Sequence, residues 1–196
     1  MIAKKPRQII IAFTGGSTSG KTTLVDKLLE EFRDKRDYIA TIRLDQYIYP
    51  EYQRPQTMMQ GRNVGNLDLK ESINWNSFYN EVSNTNAPIV FIDGFITFAD
   101  NRSNQLVDLI VDIEYNTFTD FDIALRRRVN KSRTYGGCSV PSNYIHNTWN
   151  NDLCRYCTYF HDIVWPEMIK HPEYRKPYNW SNDRVLTLSA TSDARL

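Results

Sequence analysis

The strongest indication of the fold in this 196-residue chain is Ile9-Ile10-Ile11-Ala12-Phe13-Thr14-Gly15-Gly16-Ser17-Thr18-Ser19-Gly20-Lys21-Thr22-Thr23. Its part from Gly15 to Thr23 fits the pattern Gly-x-x-x-x-Gly-Lys-[Ser/Thr], in which the backbone N–H groups of a glycine-rich turn surround phosphate oxygens. The apolar run before it predicts a buried strand, and Thr23-Leu24-Val25-Asp26-Lys27-Leu28-Leu29 predicts a helix. A strand, this loop and a helix in that order indicate a nucleotide-binding site.

We call residues 15–23 the phosphate loop, and its residues are predicted to bind different parts of a triphosphate. Glycine lets the backbone approach the phosphates closely, and the start of the following helix attracts anions. Lys21 is predicted to reach the outer phosphates as a catalytic residue, and the Thr22 hydroxyl to bind Mg²⁺. The alternative is a Gly/Ser-rich connection with an incidental lysine, which the flanking strand and helix disfavour. The predicted ATP-binding residues are Gly15, Gly16, Ser17, Thr18, Ser19, Gly20, Lys21, Thr22 and Thr23.

Length and charge predict one domain that binds small molecules. The chain has 24 Lys and Arg against 23 Asp and Glu, a formal net charge of +1, so no general attraction to nucleic acid or membranes is implied. The apolar run Ile9 to Phe13 is too short for a secretory signal or a membrane span. We therefore expect a single cytoplasmic domain over residues 1–196 without a nucleic-acid or membrane partner, and we leave its oligomeric state open.

Three cysteines are too few for a disulfide framework. Cys154, Cys157 and His161 nevertheless have the spacing of one helix face and are candidate zinc ligands, with His146 upstream as a candidate fourth. Structural zinc sites usually take ligands from two turns or knuckles, so we favour helix packing over zinc binding for these residues.

Strands and helices alternate along the chain. Strands are predicted at 9–14, 38–44, 88–93, 107–115 and 184–188, and helices at 21–36, at 68–82, from Thr119 or Asp120 through Arg128, and at 143–169. Residues 46–67 lack periodicity, which is typical of a functional loop. This alternation predicts an α/β protein with a three-layer, doubly wound, parallel five-stranded sheet.

Two acids come directly after predicted strands. Because ligands bind at the carboxyl ends of parallel strands, Asp45 and Asp93 should converge on the phosphate loop. Phosphoryl transfer needs a base for the acceptor hydroxyl, for which we predict Asp45, and a metal ligand, for which we predict Asp93 beside Thr22. The alternatives are a turn-forming role for Asp45 and an Asp93-Gly94 hairpin turn.

Asp68 has two interpretations that the sequence supports equally. Asp68 and Glu71 match a capping box, which would make Asp68 only a helix cap. A carboxylate at this place could also bind sugar hydroxyls.

A cluster of basic residues predicts a small helical lid at about 126–142. It contains Arg126, Arg127, Arg128, Lys131 and Arg133, followed by Tyr135-Gly136-Gly137. Arginines that close over ATP would neutralise charge on the transferred phosphoryl group. Three consecutive arginines fan around a helix, so at least one should face solvent. We predict Arg128 and Arg133 as the catalytic pair.

Taken together, these residues resemble the nicotinamide riboside kinases and, in part, the related uridine kinases, both P-loop NTPases. The likeness runs from about Gln8 to Pro166, and its shared blocks occur in the same order. They are the phosphate loop, Asp45-Gln46-Tyr47, Asp68-Leu69-Lys70-Glu71-Ser72-Ile73-Asn74, Asp93-Gly94-Phe95-Ile96-Thr97-Phe98, Arg126-Arg127-Arg128, and Tyr159-Phe160 with Val164-Trp165-Pro166.

The resemblance implies an ATP- and Mg²⁺-dependent kinase that phosphorylates the 5′-hydroxyl of a ribonucleoside, with nicotinamide riboside as the first candidate. It implies that Asp45 is the base, that Asp68 and Arg133 contact the ribose, and that Tyr47 and Tyr135 lie near the base of the nucleoside. Uridine or cytidine phosphorylation and a non-catalytic nucleotide-binding regulator are the alternatives.

Overall fold

The structure of the protein is a computed structural model, and it describes residues 8–115, 120–134 and 155–190. Five strands form a parallel sheet in the order β2-β5-β1-β6-β7, and a separate hairpin holds two more. The predicted parallel five-stranded sheet is thus confirmed. The strands are β1 Ile9–Gly15, β2 Ile39–Arg43, β3 Gln56–Met59, β4 Arg62–Gly65, β5 Ile89–Asp93, β6 Leu109–Glu114 and β7 Val185–Ser189.

Helices cover both faces of the sheet, which gives the three predicted layers. On one face, Val25 of the first helix packs with Phe13 and Phe91. On the other face, Phe78 and Val82 of the second helix pack in the largest core cluster. The helices are α1 Lys21–Glu31, α2 Trp75–Asn84, α3 Ser103–Leu106, α4 Phe121–Thr134, α5 Arg155–Tyr159 and α6 Trp165–Lys170, with a π-helical turn Phe160–Val164 between α5 and α6.

Two predicted helix boundaries were wrong. The α1 helix ends at Glu31, and a 3₁₀ segment, Arg33–Tyr38, takes up the rest of the predicted helix. The α2 helix begins at Trp75 rather than at residue 68, because the Asn74 side chain accepts a hydrogen bond from the Ser77 N–H at 3.1 Å and caps it. The predicted helix over 143–169 is helical from Arg155 onward, and residues 143–154 lie outside the described ranges.

The predicted loop over 46–67 contains a hairpin of β3 and β4, with the register Gln56↔Gly65 and Met59↔Arg62. Gln60 and Gly61 form its turn with positive φ angles of 47° and 75°, as in the turns that suit the twist of a two-residue hairpin. Gln60 is an uncommon residue at such a position, which is why the turn escaped the sequence analysis. No helix in the described ranges is long and apolar enough to cross a membrane.

Candidate active site

The phosphate loop adopts a conformation that requires its glycines. Gly15 has a φ of 137°, and a Cβ atom there would lie 2.4 Å from the Ile113 carbonyl oxygen. Gly20 has a φ of 108° and precedes the first turn of α1. The Ser19 hydroxyl oxygen is buried and has no hydrogen-bond partner among the described residues. A buried hydroxyl without a partner beside free helix N–H groups fits the contacts that a phosphate would make.

Lys21 is buried in the loop, with 8% of its surface exposed. Its ammonium donates a hydrogen bond to the Gly16 carbonyl oxygen at 2.9 Å. Burial lowers the pKa of Lys21, while the charges of Asp93 and Asp45 act to raise it. Both predicted acids therefore lie within electrostatic reach of the loop lysine.

Asp93 lies where a metal ligand would be needed. It ends β5 next to β1, paired in register with Phe13, and the Gly94 N–H donates to the Phe13 carbonyl oxygen at 3.1 Å. This parallel pairing shows that the alternative of an Asp93-Gly94 hairpin turn is wrong. The Thr22 hydroxyl donates to the Asp93 carboxylate at 2.7 Å. A hydroxyl and a carboxylate oxygen side by side fit Mg²⁺, which takes few protein ligands and keeps several waters.

Asp45 follows β2 in the 3₁₀ turn Leu44–Tyr47; the residue is partly exposed, while its carboxyl group lies among the charges near the phosphate loop. The pKa of its carboxyl group is raised, first by desolvation and then by Asp93, while Lys21 and Lys131 act to lower it. Asp45 thus belongs to a turn and at the same time interacts with the loop lysine and the metal-ligand candidate.

Asp68 is not a helix cap, because α2 begins seven residues later at Trp75. Its N–H donates to the Asn66 side-chain oxygen at 2.9 Å, and its carboxylate accepts a hydrogen bond from the Tyr159 hydroxyl at 3.3 Å. Burial raises the pKa of Asp68 to about 7, although Tyr159 and Arg128 act to lower it. The capping-box reading is therefore corrected, and Asp68 lies near Arg128 and Asp45.

Two cations of α4 face this group of acids. Arg126 is exposed, in line with the expectation that one arginine faces solvent, whereas Arg128 is half-buried. The Arg128 charge acts on Asp68, and the Lys131 charge acts on Lys21 and Asp45. Lys131 was in the basic cluster but not in the predicted pair. Arg133 lies in the last turn of α4, but the structure does not describe its side chain. Tyr135 lies outside the described ranges.

The side chain of Tyr47 contacts two residues of α2. Its hydroxyl donates a short hydrogen bond to the Glu81 carboxylate, and its ring meets Phe78 edge-on at 5.4 Å. Burial and the Glu81 interaction raise the pKa of Tyr47. The ring therefore has a fixed position two residues after Asp45.

Tyr159 and Arg175 are two residues of the site that sequence reasoning did not assign. The Tyr159 hydroxyl accepts the Leu67 N–H at 2.6 Å and so connects α5 to the Asp68 segment. Tyr159 belonged to a block of the resemblance, which was a usable signal. Arg175 lines a cavity with Gly16, Ser17 and Asp68, and no pattern in the sequence singles it out.

Of the predicted cysteine and histidine cluster, the structure describes Cys157 and His161. Cys157 is fully buried in a hydrophobic cluster with Phe160. His161 contacts the Asp162 carboxylate at 2.5 Å. The described residues contain no group of three or more His, Cys, Asp or Glu side chains that could hold a metal ion. Cys154 and His146 lie outside the described ranges.

Comparison with known proteins places these features in a wider group. A scan against protein-family models finds no match. The chain is 25% identical over 190 positions to a uridine kinase of Clostridium perfringens, with 82% of this chain and 88% of the relative covered. It is 24% identical over 161 positions to a uridine kinase of Borrelia duttonii, with 71% and 76% covered.

Among solved structures, the fold matches one described as a fructose transport system kinase from Silicibacter sp. TM1040. The TM-score is 0.56 at 10% identity, and 88% of each chain is covered. This likeness concerns the fold alone, whereas the uridine kinases are related in sequence over most of their length. These likenesses do not distinguish a nicotinamide riboside kinase from other nucleoside kinases. The chain is a phosphotransferase with the α/β fold of the P-loop kinases and a relative of the uridine kinases.

Proposed function

We propose that this protein is an ATP- and Mg²⁺-dependent ribonucleoside kinase that transfers the γ-phosphate of ATP to the ribose 5′-hydroxyl. The observation that supports this most is the position of Asp45, whose charge interacts with both Lys21 and Asp93. A base beside the phosphate-binding lysine and the metal-ligand candidate is what transfer to an alcohol requires. Nucleotide binding alone would need the loop but no such base.

Each residue of the candidate active site has a separate role in the proposed chemistry. Asp45 accepts the proton of the acceptor hydroxyl as the oxygen attacks the γ-phosphorus, and a raised pKa makes its carboxylate a stronger base. Lys21, Arg128 and Arg133 stabilise the charge on the transferred phosphoryl group. Thr22 and Asp93 would hold Mg²⁺, which neutralises phosphate charge when bound.

The acceptor is expected to lie between Asp45 and Asp68. Asp68 would bind the ribose hydroxyls, because a buried carboxyl group accepts or donates hydrogen bonds according to its protonation. Tyr47 would lie near the base of the nucleoside, and Arg133 and Tyr135 complete the predicted substrate-binding set. Nicotinamide riboside is proposed from the resemblance of the site residues, and uridine or cytidine from the names of the relatives.

The test is an acceptor panel with purified protein, ATP and Mg²⁺. Nicotinamide riboside, uridine, cytidine and adenosine are compared by the amount of phosphorylated product. We expect 5′-phosphorylation of at least one. Failure with all four, together with retained ATP binding, would refute the proposal that a ribonucleoside is the acceptor.

An Asp45→Asn variant separates the base from the nucleotide site. We expect kcat to fall by roughly 10²–10⁴-fold, the usual contribution of a general base, with ATP affinity little changed. Asp34→Asn, an exposed acid in the 3₁₀ segment after α1, is the matched control and should keep full activity. Equal activity of the Asp45 variant and the control would contradict the proposed base.

A further inference from the structure

Arg175 is a buried cation in an unusual state. It follows the 3₁₀ turn Pro172–Tyr174, and only 8% of its surface is exposed. Its Nε and Nη1 atoms are buried and have no hydrogen-bond partner within the described ranges. Buried N–H donors without partners destabilise the folded protein, and native structures rarely leave them so. Such a residue calls for an explanation in terms of an anion that binds it.

Two of the acids near Arg175 have another partner. Asp112 and Glu114 feel its charge, which acts to lower the pKa of both groups. Lys176 contacts the Glu114 carboxylate at 2.7 Å and that of Asp112 at 3.8 Å, and Asp112 also accepts the Thr14 hydroxyl at 3.1 Å. Arg175 makes neither of these contacts, and its Nε and Nη1 donors have no partner within the described ranges.

The position of Arg175 indicates which ligand. It shares a cavity with Gly16 and Ser17 of the phosphate loop and with the acids Asp68 and Glu167, and its charge acts on Lys21. The neighbouring backbone is fixed, because the Phe98 N–H donates to the Tyr174 carbonyl oxygen at 2.8 Å and the Arg175 N–H to that of Pro172 at 3.1 Å. A planar fork of donors on a fixed segment beside a phosphate loop suits phosphate oxygens.

We propose that Arg175 binds the terminal phosphates of the nucleotide donor. This inference rests on the proposed function only in taking ATP as the donor. It assigns to the segment after α6 a phosphate contact in addition to the arginines of α4. The guanidinium group would gain its missing hydrogen bonds when the triphosphate enters and would lose them again when the product leaves.

The experiment is isothermal titration of ATP and AMP, each with Mg²⁺ and without any acceptor, into the wild type and two variants. Arg175→Met removes the charge but keeps an apolar stem, and we expect ATP to bind roughly ten- to a hundredfold more weakly, as for a lost charged hydrogen bond. AMP, which lacks the terminal phosphates, should bind within about twofold of the wild type. Lys176→Met, the neighbouring cation already paired with Glu114, should leave ATP affinity within about twofold.

Unfolding of the ligand-free variants distinguishes phosphate binding from a structural role. If the donors of Arg175 await a phosphate, the Met variant should unfold at the same temperature as the wild type or a higher one. Unchanged ATP affinity in a folded Met variant, or an equal loss for AMP and ATP, would overturn the proposal. Should the Met variant fail to fold, Arg175→Lys, which keeps the charge without the fork, must still weaken ATP more than AMP. Because no acceptor is present, failure of ribonucleoside phosphorylation would leave this result intact.

Discussion

Asp68→Asn should stabilise the protein in a pH-dependent way. Burial raises the pKa of Asp68 from 3.8 to about 7, so the folded protein holds a proton on this group that the unfolded chain releases. Between these values the folded state binds more protons, and stability therefore falls as the pH rises. A shift of this size corresponds to about 4 kcal/mol at about 1.4 kcal/mol per unit, an upper bound because local relaxation reduces it.

Asparagine has nearly the same shape and cannot ionise, so it avoids this cost. We expect the variant to be more stable than the wild type by about 2–4 kcal/mol at pH 8 and to match it near pH 4, where Asp68 is protonated in the folded protein. The assay is urea unfolding followed by tryptophan fluorescence across this pH range. The difference between the two proteins cancels the contributions of other titrating groups, such as Asp112.

Asp100→Asn is a control for which we expect the opposite change in stability. Partial burial acts to raise the pKa of Asp100, but hydrogen bonds from Arg102 outweigh it and lower the pKa. Its ionised form therefore stabilises the fold, and the Asn variant should lose stability at pH 8 and recover relative to the wild type as the pH falls below 3.8. The reasoning is refuted if Asp68→Asn is no more stable than the wild type at pH 8, or if its gain is the same at pH 4 and pH 8. If Asp68 also binds the ribose, the stabilised variant should show a raised KM for the nucleoside.

The remaining predictions concern the phosphate loop. Lys21→Ala should lower kcat/KM for ATP by at least about a hundredfold, because it removes the charge that stabilises the transferred phosphoryl group, while the far-UV circular dichroism stays unchanged; unaltered turnover would rule out the site. Thr22→Val keeps the side-chain shape but removes the hydroxyl beside Asp93, so the Mg²⁺ concentration for half-maximal activity should rise by about tenfold or more. A magnesium titration of activity that superimposes on that of the wild type would show that Thr22 is not a metal ligand.

The features that the sequence predicted well are those carried by neighbouring residues. The strand, loop and start of α1 form one continuous segment, so their secondary structure could be predicted without tertiary information. Asp45 and Asp93 were predicted to converge because parallel strands bring their carboxyl ends to one edge, and the charges of both act on Lys21.

The features that escaped depend on contacts between distant parts of the chain or on weak local signals. Arg175 lies near the phosphate loop although it is 159 residues downstream of Gly16 in the sequence. No local sequence pattern distinguishes it from other arginines. The α2 start was misplaced because Asp68 with Glu71 has the same spacing as a true cap, whereas Asn74 makes the capping hydrogen bond. Lys131 was passed over because helical position alone did not show which cation faces the acids.

The π-helical turn Phe160–Val164 lies between two side chains that contact different parts of the site. Before it, Tyr159 bonds to the Asp68 segment; after it, Met168 lies so close to Gly16 that an added Cβ would come within 2.2 Å of its sulfur. A π-turn holds about one residue more than an α-turn, so deleting one residue of it would restore α-helical winding with little rotation of α6. Inserting one residue into α6 before Met168 would instead rotate the rest of the helix by about 100° and separate the contact at Asp68 from the contact at the phosphate loop, while the exposed Gln60-Gly61 tip could change length without touching either.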